Sequence, residues 1–472
     1  VVVGARITNE SLIRSRVALT VGQPYRRSEI RKTEERLASL GVFSTVTVGL
    51  EDPYVPAKEK AVVITVQERL PQYLDIRPGF STGEGFRITF EYGHRNLGGE
   101  AIPLTLRVQL GYLPNELILE EDVRKKYDEL DVGQRLERRN SALIEFPDVG
   151  LGPLFRLSVE GLDVRDNARD FGLTKDAGIV TLTYRPVRQF SAFVGGSLEL
   201  NDATIFGSEQ KGALEQYVQA NPRRAGLFRV PEGTTLAVAQ RIGFAWDRRD
   251  NPLGASRGTL VSTSLEHVRA TPFGGEEAGD GIFDATTSQF LRLTQRVAGY
   301  LRLSDKGLAL AGSVRWGMNQ QLRSESRTYP DRLFFLGGVD SVRGFLQDSM
   351  IPEDIAQQLL EPTSGLSLNQ VVIRGGDAFI NPRLELRIPL SGNVQTGLFL
   401  DSGNLWRDPE KVNPLDLRYS VGSGLRIGTP IGPLVFDYGF NVDRVLDELF
   451  PDRTRRRYWE PLGAFHFSIG LF

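Results

Sequence analysis

From Leu70 onward the chain alternates apolar and polar residues with a period of two, in segments too long for an ordinary sheet. Leu104, Leu106, Val108, Leu110 and Tyr112 alternate with Thr105, Arg107, Gln109 and Gly111. Leu308, Leu310, Val314, Trp316 and Met318 alternate with Ala309, Ala311, Ser313 and Arg315, and Leu434, Phe436, Tyr438 and Phe440 with Val435, Asp437, Gly439 and Asn441. Strands of soluble proteins usually run about 5–6 residues. These run to about 9–14, a length that crosses a bilayer at a tilt. Their second face mixes Arg, Glu, Gly and Ser, as a wet lumen requires. A transmembrane β-barrel hides its lipid-facing surface in alternation, so an apolar content of 40% is no objection. No run of apolar residues is long enough for a spanning helix.

The pattern predicts sixteen antiparallel strands near 72–80, 85–95, 100–113, 137–147, 153–165, 176–185, 189–200, 234–247, 257–270, 285–303, 306–320, 377–390, 393–402, 416–428, 432–443 and 462–472. Most connections after odd-numbered strands are long, with 321–376 the longest. Those after even-numbered strands are short and turn-like: Asn96-Leu97-Gly98-Gly99, Asp305-Lys306-Gly307, Ser391-Gly392 and Thr429-Pro430-Ile431. Outer-membrane barrels keep short turns in the periplasm and long loops outside. An even strand count then places both barrel ends, and whatever precedes them, in the periplasm.

Residues 1–69 have a different rhythm and predict a small α+β domain, β-α-α-β-β. Val1–Val3 is a short apolar run. Asn9 can cap a helix carrying Leu12, Ile13 and Val17. Ser28 precedes a second helix, with Ile30, Leu37 and Leu40 on one face and Gly41 as its stop. Val42–Leu50 and Ala61–Gln67 read as a hairpin. The domain division is therefore 1–69 and 70–472. The chain begins at Val1 rather than Met and reads as a mature or trimmed product.

Composition narrows the function. Lys and Arg number 57 against 59 Asp and Glu, a formal charge of −2, which argues against a nucleic-acid partner. There is no Cys, and His94, His267 and His466 have no metal-ligand spacing, so neither a metal nor another cofactor is expected. No catalytic carboxylate pair or Ser-His arrangement stands out, and the chain does not read as an enzyme. Gly422-Ser423-Gly424-Leu425-Arg426 lacks the following helix that a phosphate-binding glycine loop needs. The charge run from Glu120-Glu121-Asp122 to Asp128-Glu129 reads as a solvated helix on an outer loop.

Several strings carry a family likeness. Gly337-Gly338-Val339-Asp340-Ser341-Val342-Arg343-Gly344-Phe345 lies in the longest loop, Phe399-Leu400-Asp401-Ser402-Gly403 in the thirteenth strand, and Leu40-Gly41-Val42-Phe43 in the first domain. Asp247-Arg248-Arg249-Asp250-Asn251-Pro252 forms a turn, and Phe465-His466-Phe467-Ser468-Ile469-Gly470-Leu471-Phe472 a closing strand with Phe465, Phe467 and Ile469 outward and Phe472 off parity. On these strings the chain resembles the BamA/TamA superfamily of outer-membrane assembly factors. Residues 1–69 resemble its last POTRA domain and residues 70–472 its barrel. The resemblance implies that the loop bearing Val342, Arg343, Gly344 and Phe345 folds back into the barrel, where Arg343 contacts acidic groups on the inner wall. The residues themselves agree. Leu384, Leu386 and Ile388 face lipid, which turns Glu385 into the lumen, and Leu398 and Leu400 do the same for Asp401. A buried Arg between two carboxylates would pin the loop by forked hydrogen bonds.

The function that the resemblance implies is insertion of β-barrel proteins through a lateral seam. Leu74, Ile76, Pro78 and Gly79 of the first strand would meet Phe465, Phe467, Ile469 and Gly470 of the last. Pro78 lacks a ladder donor and Gly79 weakens a strand, as suits such an edge. The expected partners are unfolded outer-membrane clients, periplasmic accessory or chaperone proteins and the lipid bilayer. The alternative is a two-partner secretion transporter of the same architecture.

Overall fold

The computed structural model of the chain describes residues 1–252, 254–275, 279, 281–359, 373–429, 432–450 and 459–469. The N-terminal domain runs β1 (Val2–Val3), α1 (Glu10–Ser15), α2 (Arg27–Ala38), β2 (Phe43–Leu50) and β3 (Val62–Glu68), with strand order β1-β3-β2. β1 lies parallel to β3, and β2–β3 is the predicted hairpin. Leu12, Ile13, Ile30, Leu37 and Leu40 of the helical layer bury against Val48, Ile64 and Val66 of the sheet. Each such side chain contributes roughly 1.5–3 kcal/mol of burial, enough to hold one small core.

The helix ends differ from expectation. α1 stops at Ser15, so Val17 packs on the core from outside it. α2 begins at Arg27 with Arg26 in the cap position, which leaves Ser28 inside the first turn. Asn9 does precede α1, but its side chain makes no cap bond. Its amide donates to the Gly98 carbonyl at 3.2 Å and also contacts Glu100, which ties the domain to the barrel.

The barrel strands are β4 (Gln72–Ser81), β5 (Gly85–Leu97), β6 (Ile102–Tyr112), β7 (Leu136–Phe146), β8 (Phe155–Asn167), β9 (Phe171–Val187), β10 (Phe190–Ile205) and β11 (Gly233–Asp247). They continue as β12 (Gly258–Pro272), β13 (Ser288–Arg302), β14 (Ala309–Gln321), β15 (Ala378–Ser391), β16 (Val394–Trp406), β17 (Arg418–Thr429), β18 (Gly432–Asn441) and β19 (Gly463–Ile469). All sixteen predicted strands form. Each pairs with its neighbours in sequence, and β19 meets β4 to close the barrel. The outward residues are the apolar half of the alternation: Leu106, Val180, Ile242, Val314, Leu384, Leu398 and Phe440 are all exposed.

The two barrel ends differ. The N-terminal domain sits at the end with the short turns. Asn96 donates to Thr8 Oγ1 at 2.9 Å, Arg16 to the Pro147 carbonyl at 2.8 Å, and Arg156 to the Ser39 carbonyl at 2.6 Å. Ala101, in the β5–β6 turn, is buried within the domain's own core. At the opposite end the long loops share a second core, in which Leu214, Tyr217 and Phe228 pack with Ile282, Leu333 and Ile355. The charged helix Glu121–Asp128 belongs to this cap and is not simply solvated. Val123, Lys126 and Tyr127 are buried, and Lys126 Nζ lies 3.0 Å from Asp170. The charge run hid a buried face because Lys126 has its anion on a different loop.

Candidate functional site: a lumenal latch beside the barrel seam

The loop between β14 and β15 enters the barrel and places Arg343 on the inner wall, 1% exposed. Its guanidinium grips Asp401 in a fork, with Nε donating to Oδ2 at 2.6 Å and Nη2 to Oδ1 at 2.9 Å. Nη1 donates to Glu385 Oε2 at 2.9 Å and more weakly to Asp437 Oδ2 at 3.4 Å. The Arg343 backbone N–H also reaches Asp401, at 3.3 Å. The guanidinium carbon lies 3.5 Å from the centre of the Phe399 ring, so one face is stacked while the edge is hydrogen-bonded. A Lys could not make these contacts together, because it lacks the planar fork.

Strand alternation delivers the acceptors. Glu385 stands on β15, Asp401 on β16 and Asp437 on β18; Glu385 and Asp437 each lie between outward apolar neighbours, and Asp401 follows the outward Leu400. Three further arginines balance them. Arg383 lies 3.1 Å from Asp401, Arg387 lies 3.0 Å from Glu385, and Arg426 is 3.2 Å from Glu385 and 3.5 Å from Asp437. Four guanidiniums thus face three carboxylates, and no carboxylate is left to carry its charge alone in a dry site.

Val342 and Phe345 flank Arg343 and are fully buried with Leu336, Met350 and Leu405, so the loop tip has its own apolar anchor. Gly344 lies against β17 and β18, where a Cβ would sit 2.6 Å from Ser420 Oγ and 3.1 Å from the Asn441 nitrogen. Gly439 is the complementary gap in the wall, since a Cβ there would meet the Arg343 carbonyl oxygen at 2.5 Å. The motif needs glycine on both sides of this contact because backbone touches backbone. His466 of β19 holds the same Arg343 carbonyl, with Nε2 at 3.0 Å, which makes Nε2 the protonated nitrogen.

The seam lies next to the latch. Among the described residues β19 and β4 register only through Ser468↔Ser81 and Ile469↔Phe80. Beyond them the Thr82 N–H donates to the Phe467 carbonyl at 2.9 Å, and the Phe467 N–H to Thr82 Oγ1 at 3.2 Å. The rings of Phe80 and Phe467 are 5.9 Å apart. By contrast, β4 pairs with β5 along its whole length, from Gln72↔His94 to Ser81↔Gly85. A cavity of about 430 Å³ separates latch from seam, lined by Thr82, Arg343, Glu385, Asp437, His466 and Phe467.

Of the seam residues named from sequence, Phe467 and Ile469 touch the β4 side. Leu74 and Ile76 stand exposed further down β4, with no described partner on β19, and Phe465 is exposed on β19. Pro78 and Gly79 do not end their strand; they pair with Ile88 and Arg87, and β4 continues to Ser81. Gly470 lies outside the described residues.

Residues 181–472 match the Omp85 superfamily domain, and residues 1–69 match the POTRA family described as a surface antigen variable number repeat. The chain belongs to the Omp85 superfamily. Among curated relatives it is 23% identical to the outer membrane protein assembly factor BamA of Nitratidesulfovibrio vulgaris, over 99% of this chain and 50% of that protein. It is 22% identical to BamA of Neorickettsia risticii, over 91% of this chain and again 50% of that protein. The chain thus spans about half the length of these relatives. Among solved structures it resembles BamA from Haemophilus ducreyi lacking POTRA domains 1-3, with TM-score 0.68, 16% identity and coverage of 99% and 82%. CdiB from Acinetobacter baumannii follows at TM-score 0.56, 13% identity and coverage of 99% and 72%. At such identities the structural likeness speaks for fold alone.

As an Omp85 barrel the chain is an outer-membrane protein whose apolar wall faces the bilayer. Asp437, Arg383, Arg387, Arg426 and His466 were not singled out from sequence as latch partners. The signal for Asp437 was available, because Phe436 and Tyr438 alternate outward around it. The three arginines also face inward by parity, but nothing in the pattern says which lumenal charges meet.

Proposed function

We propose that this Omp85 barrel inserts and folds outer-membrane β-barrel proteins by pairing their strands with its own opened seam. The observation that carries this reading is the meeting of β19 with β4, which among the described residues registers through Ser468↔Ser81 and Ile469↔Phe80, beside a β4–β5 ladder that runs from Gln72 to Ser81. The outer edge of β4 is the edge that β19 meets as the barrel closes, and a strand edge that comes free is a template for an incoming strand. Pro78 prevents that edge from being fully bonded by any neighbour. In this reading the chemistry is exchange of backbone hydrogen bonds.

In this reading the N-terminal domain and the short turns lie in the periplasm, where the domain meets unfolded clients and accessory or chaperone proteins. The names of the BamA relatives support the assembly role. A steady secretion pore is less well supported, since the loop between β14 and β15 lies folded within the lumen.

The test is a locked seam. The chain has no Cys, so Ser81→Cys with Ser468→Cys gives a single possible disulfide. With the disulfide formed, insertion of a client barrel into liposomes should stop while the folded barrel persists, and reduction should restore it. Full insertion by the oxidised protein would remove seam opening from the mechanism. A constant single-channel current that the lock leaves unaltered would favour the transporter.

A further inference from the structure

The latch loop carries another arginine that docks on the wall, the half-buried Arg332, in the turn Pro330–Arg332. Its surroundings repeat those of Arg343 on a different part of the wall. Arg332 Nη2 donates to Glu199 Oε2 at 2.7 Å, and Nη1 lies 3.5 Å from Glu266. Lys175 bridges the same group, 3.0 Å from Glu199 and 3.1 Å from Asp331 of the loop. Ser197 donates to Glu199 at 2.7 Å. Glu199 is therefore the hub of this cluster, as Asp401 is of the other. Lys175, Glu199 and Glu266 stand on β9, β10 and β12, whereas the partners of Arg343 stand on β15, β16 and β18.

The chain between the two arginines is not slack. Phe334 and Gly376 exchange backbone hydrogen bonds of 2.8 Å in both directions, which zips the two legs of the loop together. Leu336 is fully buried against Val342, Phe345 and Met350. Beyond Arg343 the loop touches both sides of the seam. His466 of β19 holds the Arg343 carbonyl, and Gln347 packs against Gly83 of the β4–β5 turn.

We infer that the segment from Arg332 to Arg343 is a two-ended tie across the lumen, and that Arg332 is a positioning residue that holds the seam closed from the far wall. With both ends docked, β18 and β19 cannot swing from β4 without stretching a packed segment against β9, β10 and β12. Freeing either end removes the restraint. Arg332 touches neither seam strand, so its influence on the seam must pass through the loop. The tie rests on the seam reading above, but it concerns the resting barrel and can be measured without a client.

The experiment uses the full chain in detergent, with Ser81→Cys and Ser468→Cys as reporter and disulfide yield at a fixed oxidation time as readout. Heat-dependent gel mobility confirms that each variant is folded. Arg332→Ala should lower the yield by about 2- to 30-fold, the range expected when one link in a coupled network is cut. Arg343→Ala should act in the same direction, and the double variant should be no worse than the stronger single one. Glu199→Gln, which preserves volume, should reproduce Arg332→Ala, and Arg332→Lys should restore part of the yield. If Arg332→Ala does not fold, Glu199→Gln decides. An unchanged seam in the folded Arg332→Ala or Glu199→Gln protein overturns the tie, as does simple additivity of the two arginine changes. If the wild type inserts clients while these yields stay flat, only the tie falls. If yields shift as expected but no client is inserted, only the insertion reading falls.

Discussion

The wall of β15 to β18 and the seam between β19 and β4 are neighbours in one closed sheet, yet they are held in opposite ways. The wall has long ladders, with an unbroken run from Arg383↔Asp401 to Pro389↔Gln395 between β15 and β16 and one from Ser420↔Asn441 to Thr429↔Gly432 between β17 and β18. Its inner face adds the Arg343 cluster, and its glycines admit the loop backbone. Among the described residues the seam has two registered pairs, two bonds through Thr82 and one aromatic contact. A hydrogen bond contributes a net of about 0.5–1.5 kcal/mol, so these described contacts hold less than the ladders of the wall. Rigidity is concentrated one strand away from the place that must move. The latch therefore steadies the C-terminal strands right beside that edge.

Three changes would break or sharpen this contrast. The largest effect should come from Arg343→Ala. Removing one member of a buried ion cluster typically costs about 3–5 kcal/mol, and the adjoining cavity of about 430 Å³ should relieve part of it by admitting water. The expected outcome is an intact barrel with a loosened loop, seen as faster proteolysis between residues 322 and 359 and slower client insertion. Arg343→Lys should recover part of both. Unchanged loop protection would mean that the apolar cluster around Val342 and Phe345 holds the loop without the charge.

Gly439→Ala should act less strongly and through sterics alone. The added Cβ meets a carbonyl oxygen of the loop backbone, which cannot swing aside like a side-chain end. Overpacking of this kind costs about 1–3 kcal/mol. We expect the same proteolytic signature as for Arg343→Ala, at smaller amplitude and with every charge retained. If Gly439→Ala leaves the loop as protected as in wild type, the backbone seat is not needed and the charges alone position it.

The smallest effect is a pH dependence far from both regions, in the β11–β12 turn. The Ser256 hydroxyl and the backbone N–H groups of Ser256, Arg257 and Asn251 bond the Asp250 carboxylate and hold its pKa well below the usual range. A group with a depressed folded pKa stabilises fully above its unfolded value, about 3.9 for Asp, and loses that contribution as pH falls toward the folded value. Protection of this turn against an acid-active protease should therefore decline as pH drops below about 4. Asp250→Asn should flatten the decline while leaving the seam yield unchanged. A seam that followed the Asp250 titration would show that the turn and the seam are coupled.

Strand number, strand order and the side each residue faces were legible in the sequence, because alternation is a local property. Leu384 and Leu386 fix the direction of Glu385 whatever lies across the lumen, and Phe436 and Tyr438 do the same for Asp437. The β-α-α-β-β order of the first domain was equally local, although Asn9 shows how a tertiary partner can claim a side chain that propensity assigns to a helix cap. Other features depended on residues far apart in the chain. Parity says that Arg383, Arg387, Arg426 and Arg332 point inward or belong to the loop, but it cannot say which carboxylate each one meets. Lys126 in a seemingly solvated helix is buried because Asp170 waits on another loop. The extent of the seam was likewise undecided, since the pairing of β19 with β4 depends on how far the whole sheet shears as it closes. The sequence by itself determined that this chain makes a barrel with an inward Arg and inward acids. Only the closed tertiary structure decided which charges share a site and in what register the last strand meets the first, because those are relations across a lumen that no local periodicity encodes.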